Sequence, residues 1–414
     1  NAKADLEVND PSSLAPLVVA ASNGHIEVLE RLLETKPSLD SINLAMSSAA
    51  NEGHIDAVKV LLNHNADVDT PDQMTKTPLV NAIFNSRKDM LKFLIDAKAA
   101  LDLGSLLNLS PLAIAAMRGN VDALELLIEA NAPFQMDGEH SIIPFTLARD
   151  SGNPEALECL LRHSNLQGET LDHATMMLAT MKGDTATMQR LLEKKVSLEM
   201  TDDQWNESFL IAAAKAGHAQ ALELLIHAKA PLDVQNKFSQ TPLMCAVTQG
   251  HTAAAKVLLD AKADVSTANE HGDTALALAA TYGHIECLKL LLDAKANIDA
   301  RNKFGSTALI TAADQGQLKC LQLLLDAKAD INATVKDGNT ALIIAASYGH
   351  IECLKLLLDA KADIDVANSE GMTVSMVAAN NGDTSCLQLL LDAKADVNAT
   401  NRLGTTASIF AARE

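Results

Sequence analysis

Aromatic side chains are scarce: they make up 3% of the 414 residues, with one Trp and two Tyr. A core of stacked rings is therefore excluded. The apolar fraction is nonetheless 48%, so the interior must be built from Leu, Ala, Ile and Val, with helices packed closely through small residues. No run reaches the roughly eighteen apolar residues of a membrane span, so no direct membrane insertion is expected within these residues. Positive charge is also short, with 33 Lys and Arg against 53 Asp and Glu and a net charge of −20. Nucleic acid, which needs clustered Lys and Arg to neutralise phosphates, is excluded as a partner. The acidic balance allows a basic partner and helps keep a long chain soluble.

Catalytic signatures are missing too. There is no GxxxxGK[ST], no GxGxxG opening a helix, no HExxH and no CxxC. No Ser, His and carboxylate set stands out, so neither an enzyme activity nor a cofactor nor a metal is expected. Six cysteines are present, and Cys287, Cys320, Cys353 and Cys386 are spaced by 33. Equivalent sites in stacked units lie ~8–10 Å apart, beyond the Cα separation of about 7 Å that a disulfide tolerates. The pattern predicts buried free thiols and an intracellular, reducing compartment, most simply the cytoplasm.

What the chain does have is a period. Twelve Gly-polar marks, or their equivalents, run from Gly24-His25 to Gly382-Asp383, most of them 33 residues apart. Gly217-His218, Gly250-His251, Gly283-His284, Gly316-Gln317 and Gly349-His350 show the register most clearly. A period of this length means one supersecondary unit used repeatedly. Such a chain is a stack in which each unit contacts its neighbours, with a long surface instead of a single pocket.

Residues 274–300 illustrate the unit. Thr274 occupies a helix N-cap, where its hydroxyl accepts an otherwise orphaned N–H. The same position holds Thr77, Ser110, Thr241, Thr307, Thr340, Thr373 and Thr406, and Pro follows in three units. A short helix carries Leu276, Leu278, Ala279 and Ala280 and stops at Gly283, which tolerates the left-handed conformation. A second helix has Ile285, Leu288, Leu291 and Leu292 at helical spacing. Lys295 stands where it should end, and a polar tip, Asn302-Lys303-Phe304-Gly305, follows.

This unit resembles the ankyrin repeat, and the resemblance extends from about Ser13 to Glu414. It implies an all-α repeat solenoid: a stack of helix pairs with short β-hairpin tips, twelve pairs and a thirteenth begun at Thr406. Residues 1–13 read as a polar N-terminal tail or cap. Residues 14–414 read as a continuous array, more divergent over 14–207, more regular over 208–403, with a partial repeat at 404–414. The family's His after Thr-Pro-Leu is replaced, for example by Val80, Ala113 and Ile310. Its Gly after the second helix is Lys at Lys98, Lys229, Lys262, Lys295, Lys328, Lys361 and Lys394. If these Lys are left-handed, each costs on the order of 1 kcal/mol relative to Gly. The spacing slips around residues 35–45, 162–175 and 195–207, which predicts altered hairpins there. A 66-residue superperiod overlies the repeat, since GHIECLKLLLDAKA occurs at 283–296 and again at 349–362.

Candidate binding residues form a line at the tips: Met74, Leu107, His140, Leu171, Trp205, Phe238, His271 and Phe304, then Asp337, Glu370 and Leu403. Exposed aromatic groups have little reason to sit at tips for folding and are the residue types that carry interface energy. Tyr282 and Tyr348 precede the helix-ending Gly of units two apart. By resemblance the tips and first helices share one concave face, so Trp205, Phe238 and Phe304 would anchor a partner. Tyr282, Tyr348, His271, Lys237, Lys303 and Arg301 would flank them.

The repeated His residues sit about a repeat apart, too far to share a zinc ion with bonds of about 2 Å, and read as junction residues. The Cys ladder reads as packing, and the DAKAD runs as a solvated, self-compensating face. Asn332 and Asn398 lie in Asn-Ala-Thr sequons that recur with the repeat; the family's asparagine-hydroxylation substrates make them candidates for modification. The apolar face at Phe410 is expected to be covered by further chain or a partner. The expected function is a non-catalytic protein–protein interaction scaffold or assembly subunit that binds partner proteins through the concave face and tips. The alternatives are the cytoplasmic ankyrin module of a larger membrane channel, or the substrate-recognition arm of a larger enzyme.

Overall fold

The computed structural model describes residues 15–72, 75–103, 109–133, 143–164, 166–198 and 208–412. Among them are 25 helices: twelve pairs, and a last single helix Ala407–Ala411 opened by Thr406.

The local causes are visible in the pair Ala275–Tyr282 and Ile285–Asp293. The Thr274 hydroxyl accepts the Ala277 N–H at 3.4 Å, and Gly283 at φ 73° ends the first helix. The same cap recurs at Thr241, Thr307 and Thr340, all buried. A buried hydroxyl has to find a partner, and the orphaned first-turn N–H supplies it. The second helix is amphipathic, burying Cys287, Leu288 and Leu291 and exposing Glu286 and Lys289. Left-handed lysines end these second helices: Lys98, Lys229, Lys262, Lys295, Lys328, Lys361 and Lys394 all have φ between 63° and 72°. Asn65, Asn131, Lys36 and Lys195 do the same work.

The chain packs as two units, divided at Leu178–Ala179. In the N-terminal unit, first helices pack on first helices in succession: Pro16–Ser22, Leu39–Glu52, Pro78–Phe84, Pro111–Arg118 and Ile143–Asp150. In the C-terminal unit the same order runs from Phe209–Ala216 through Pro242–Thr248 and onward to Ala407–Ala411. Its second helices make a parallel layer from Thr185–Glu193 to Thr384–Asp392. The core lies between the layers and is made of Leu, Ala, Ile and Cys, with few rings. Small Ala pairs such as Ala279 and Ala280 let the first helices approach closely.

Two features differ from the simplest repeat. The hairpins are reduced to turns: among the described residues the only β pairings are the isolated bridges Ala268↔Thr274 and Thr334↔Thr340. Where the spacing slips, the first helix lengthens instead, to 14 residues in Leu39–Glu52 and 15 in Gly168–Lys182. Leu171 therefore lies inside a helix and not on a tip, which corrects its expected place in the tip row. The third slip, at 195–207, falls largely outside the described residues. At the other end, Phe410 packs on Met376, Ala379 and Ala407, while Ile409 is exposed.

Candidate protein-binding surface

Most tips in the regular part are organised by one amide side chain, the exception being the tip that opens at Val335, which turns on backbone bonds. Asn302 accepts the Phe304 N–H and the Ser306 N–H, both at 2.9 Å, on Oδ1. Asn236, Asn269, Asn368 and Asn401 hold their own tips with the same two bonds. A short side chain that bonds its own backbone two residues on is a turn former. The residue was legible in the sequence as an Asn five positions ahead of the N-cap Thr, and reading the tips for rings alone missed it.

The tips are also tied to each other. Glu270 N–H donates to the Phe238 carbonyl at 3.2 Å, Lys303 N–H to His271 at 3.0 Å, and Lys336 N–H to Phe304 at 3.0 Å. Ser369 N–H to Asp337 and Arg402 N–H to Glu370 continue the ladder. Close approach requires glycine: a β-carbon on Gly272 would sit 2.8 Å from Lys303 N, and one on Gly338 2.9 Å from Ser369 N. So neighbouring tips pair through a backbone ladder, supplemented by the side-chain bond from Asn302 Nδ2 to Asp273 Oδ1 at 2.8 Å, and the two phenyl rings take no part in it. Phe238 is 47% exposed and Phe304 63%.

The flanking groups divide by role. Lys237 Nζ lies 5.3 Å from the Phe238 ring centroid, and Lys303 is exposed beside Phe304. Arg301 Nη1 bonds the carbonyls of Gly305 at 3.1 Å and Thr334 at 2.5 Å, so it staples two adjacent tips as well as carrying charge. His271 Nε2 is 3.7 Å from the Glu270 carboxylate. Tyr282 and Tyr348 are exposed, but at the opposite ends of the first helices. Eight residues at about 1.5 Å rise put ~12 Å of helix between Tyr282 and its own tip. Each tyrosine stacks near the His two residues on, with centroids 6.3 Å apart at Tyr282–His284 and 6.2 Å at Tyr348–His350. The candidates thus form two rows, one along the tips and one along the helix ends. Trp205, Met74, Leu107 and His140 lie outside the described residues.

A family model described as ankyrin repeats, three copies at a time, matches residues 2–72, 17–105, 46–140, 145–236, 176–269, 210–302, 262–335, 294–368 and 331–401. The chain belongs to the ankyrin repeat family. Ankyrin repeats are in general protein–protein interaction modules. Among solved structures, the ankyrin repeat domain of Bcl-3, described as a unique member of the IkappaB protein family, is similar at 29% identity. The match covers 49% of this chain and 92% of that one, with a TM-score of 0.46. The human ASB11 ankyrin repeat domain is similar at 28% identity over 50% of this chain and 92% of that one, also with a TM-score of 0.46. No curated protein matches.

The remaining candidates in this ankyrin array have structural employment. His218, His251, His284 and His350 sit 2.9–3.0 Å through Nε2 from the carbonyls of Met181, Lys215, Thr248 and Asp314 in the preceding repeat. Nε2 therefore carries the proton and donates. Gln317 makes the same bond to Thr281, and in the N-terminal unit Asn120 and Asn153 bond Ile83 and Met117. All six cysteines are buried, and none forms a disulfide. Burial pushes Cys320 up to about 11. Burial, then a hydrogen bond to Asp383, pushes Cys386 up to about 12. Thiolate is the reactive form, so these groups are held in their unreactive state. Asn332 is exposed, yet its Oδ1 already accepts the Asp363 N–H at 2.9 Å across the repeat boundary; exposed Asn398 donates its own N–H to Asp396 at 2.9 Å. Asp233, Asp299 and Asp365 make the cross-repeat bond that Asn332 makes.

Proposed function

We propose that this ankyrin array is a non-catalytic scaffold that holds partner proteins on the tip row of its C-terminal unit. The observation that carries the reading is the division of labour at Phe238 and Phe304. Their backbones are locked to neighbouring tips, while their rings remain in solvent. A ring on a fixed frame loses little freedom when a partner covers it, and a half-exposed Phe has apolar area left to bury. The reading includes a reducing, intracellular setting, supported by six buried cysteines of which none forms a disulfide. Among the described residues no helix is long and apolar enough to cross a membrane.

The test is a display selection of peptides against the full chain, followed by a counter-screen on the Phe238→Ala/Phe304→Ala double variant. Binders should lose at least ~10-fold in affinity on that variant, about 1.4 kcal/mol, while its thermal melt stays put. If the selected binders ignore the double substitution, the tips are not the recognition surface.

A further inference from the structure

The tip row repeats at two periods, and only one of them serves the fold. The left-handed residue and the N-cap Thr recur every 33 residues and, with an Asn in every tip from 236 to 401 except that of Val335, make the turn. The Lys-Phe pair recurs every 66: Lys237-Phe238, then Lys303-Phe304. Between them the Glu270-His271 tip makes the same turn with the same bonds, so the turn does not require Lys-Phe. Two equivalent exposed rings, each with a cation beside it, therefore stand two repeats apart on one backbone-locked edge.

Charge is locally inverted along this edge. In a chain of net charge −20, Lys237, Arg301, Lys303 and Lys336 gather on three tips. Among the described residues, none of Arg301, Lys303 and Lys336 has a carboxylate within ion-pair distance, whereas Glu270 faces His271. The row then turns acidic at Asp337 and Glu370, which marks where an anionic occupant would stop.

Resting on the proposed function, we infer that the occupant is an acidic peptide segment in extended conformation, with two apolar side chains six residues apart, one seated on Phe238 and the other on Phe304. The spacing follows from geometry. Stacked helices lie about 10 Å apart, so two repeats span ~20 Å. An extended chain advances about 3.3 Å per residue, which makes the step about six residues. Six is even, so both side chains leave the strand on the same face, which five or seven would not allow.

The experiment uses fluorescein-labelled peptides of Glu and Ser carrying two Leu at separations of four, five, six or eight, plus a Lys-for-Glu version of the six-spaced peptide. Binding to the full chain is read by anisotropy. The six-spaced acidic peptide should bind at least ~10-fold more tightly than the five-spaced one, in line with one lost hot-spot contact. Phe238→Ala and Phe304→Ala should each abolish that spacing preference. Lys237→Glu/Lys303→Glu should weaken the acidic peptide and remove its salt sensitivity, with the far-ultraviolet circular dichroism melt showing that each variant is folded. Equal binding at all separations, better binding of the Lys version, or no binding by any of the set overturns the inference. Tip-dependent binders from the display selection that are basic or unspaced would sink this inference alone. A selection that yields no tip-dependent binder sinks the scaffold reading beneath it.

Discussion

A β-carbon on Gly250 would lie 2.6 Å from Nδ1 of His284, and the other nitrogen of that ring is 3.0 Å from the Thr248 carbonyl. Gly250 has φ 73°, so it answers two demands at once: a left-handed helix stop and room for the next repeat's imidazole. Gly217 with His251 and Gly316 with His350 repeat the arrangement. Gly250→Ala should lose ~1–2 kcal/mol from the left-handed backbone and also push the ring off its carbonyl. His284→Ala should lose ~1 kcal/mol, the net worth of one hydrogen bond. Because both changes break the same bond, the double variant should fall short of the sum by about 1 kcal/mol in urea melts. Strict additivity would show that the ring and the glycine are not coupled.

Lys262, Lys295 and Lys328 hold a conformation that glycine holds without strain, at φ 72°, 63° and 68°. Relief of ~1–2 kcal/mol per residue is offset by the ~0.5–1 kcal/mol that glycine's freedom costs in the unfolded chain. Lys262→Gly/Lys295→Gly/Lys328→Gly should therefore gain about 0–1.5 kcal/mol of stability per site, read as a higher urea midpoint with the m-value unchanged. A lower midpoint would show that the lysine side chains contribute more than the backbone strain removes.

The helix pairs were legible because their signals are local. Thr at the cap, Gly at the stop and Leu at helical spacing act within one repeat, so twelve pairs and the helix after Thr406 follow from reading the chain. The left-handed lysines were legible by register. Features that depend on the neighbouring repeat were not. The bond from His284 to Thr248 crosses 36 residues, and nothing around His284 announces it. The lengthened helices Leu39–Glu52 and Gly168–Lys182 showed in the sequence only as slips in spacing. With no tip turn to make, the backbone there continues as helix and bonds itself. In the candidate site, the exposure of Phe238 and Phe304 was readable from position, but the backbone ladder that fixes them was not.

That ladder is testable at a single amide. Gly272→Ala puts a methyl 2.8 Å from Lys303 N, at φ 83°, and the atom it meets is backbone that cannot swing away. The bond from Lys303 N–H to the His271 carbonyl should open. Hydrogen exchange at Lys303 should accelerate, while core amides such as Leu291 stay protected. Unchanged exchange at Lys303 would mean that the tips are held by their own turns and not by each other.

The buried thiols set an alkaline limit to stability. Cys320 and Cys386 are raised from 9.0 to about 11 and about 12, in both cases first by burial, with Asp383 adding to the second. Below pH 9 both states carry the proton and the thiols add no pH dependence. Between pH 9 and 11 the unfolded chain releases protons that the folded chain retains, so stability falls as pH rises. The contribution is fully present below the unfolded value and is lost on the way to the folded one. Cys320→Ala/Cys386→Ala should have lower stability at pH 7, because two buried side chains are cut back, but a flatter decline from pH 9 to 11. Urea midpoints across that range measure both effects. Parallel declines in the variant and the parent chain would assign the alkaline loss to other groups.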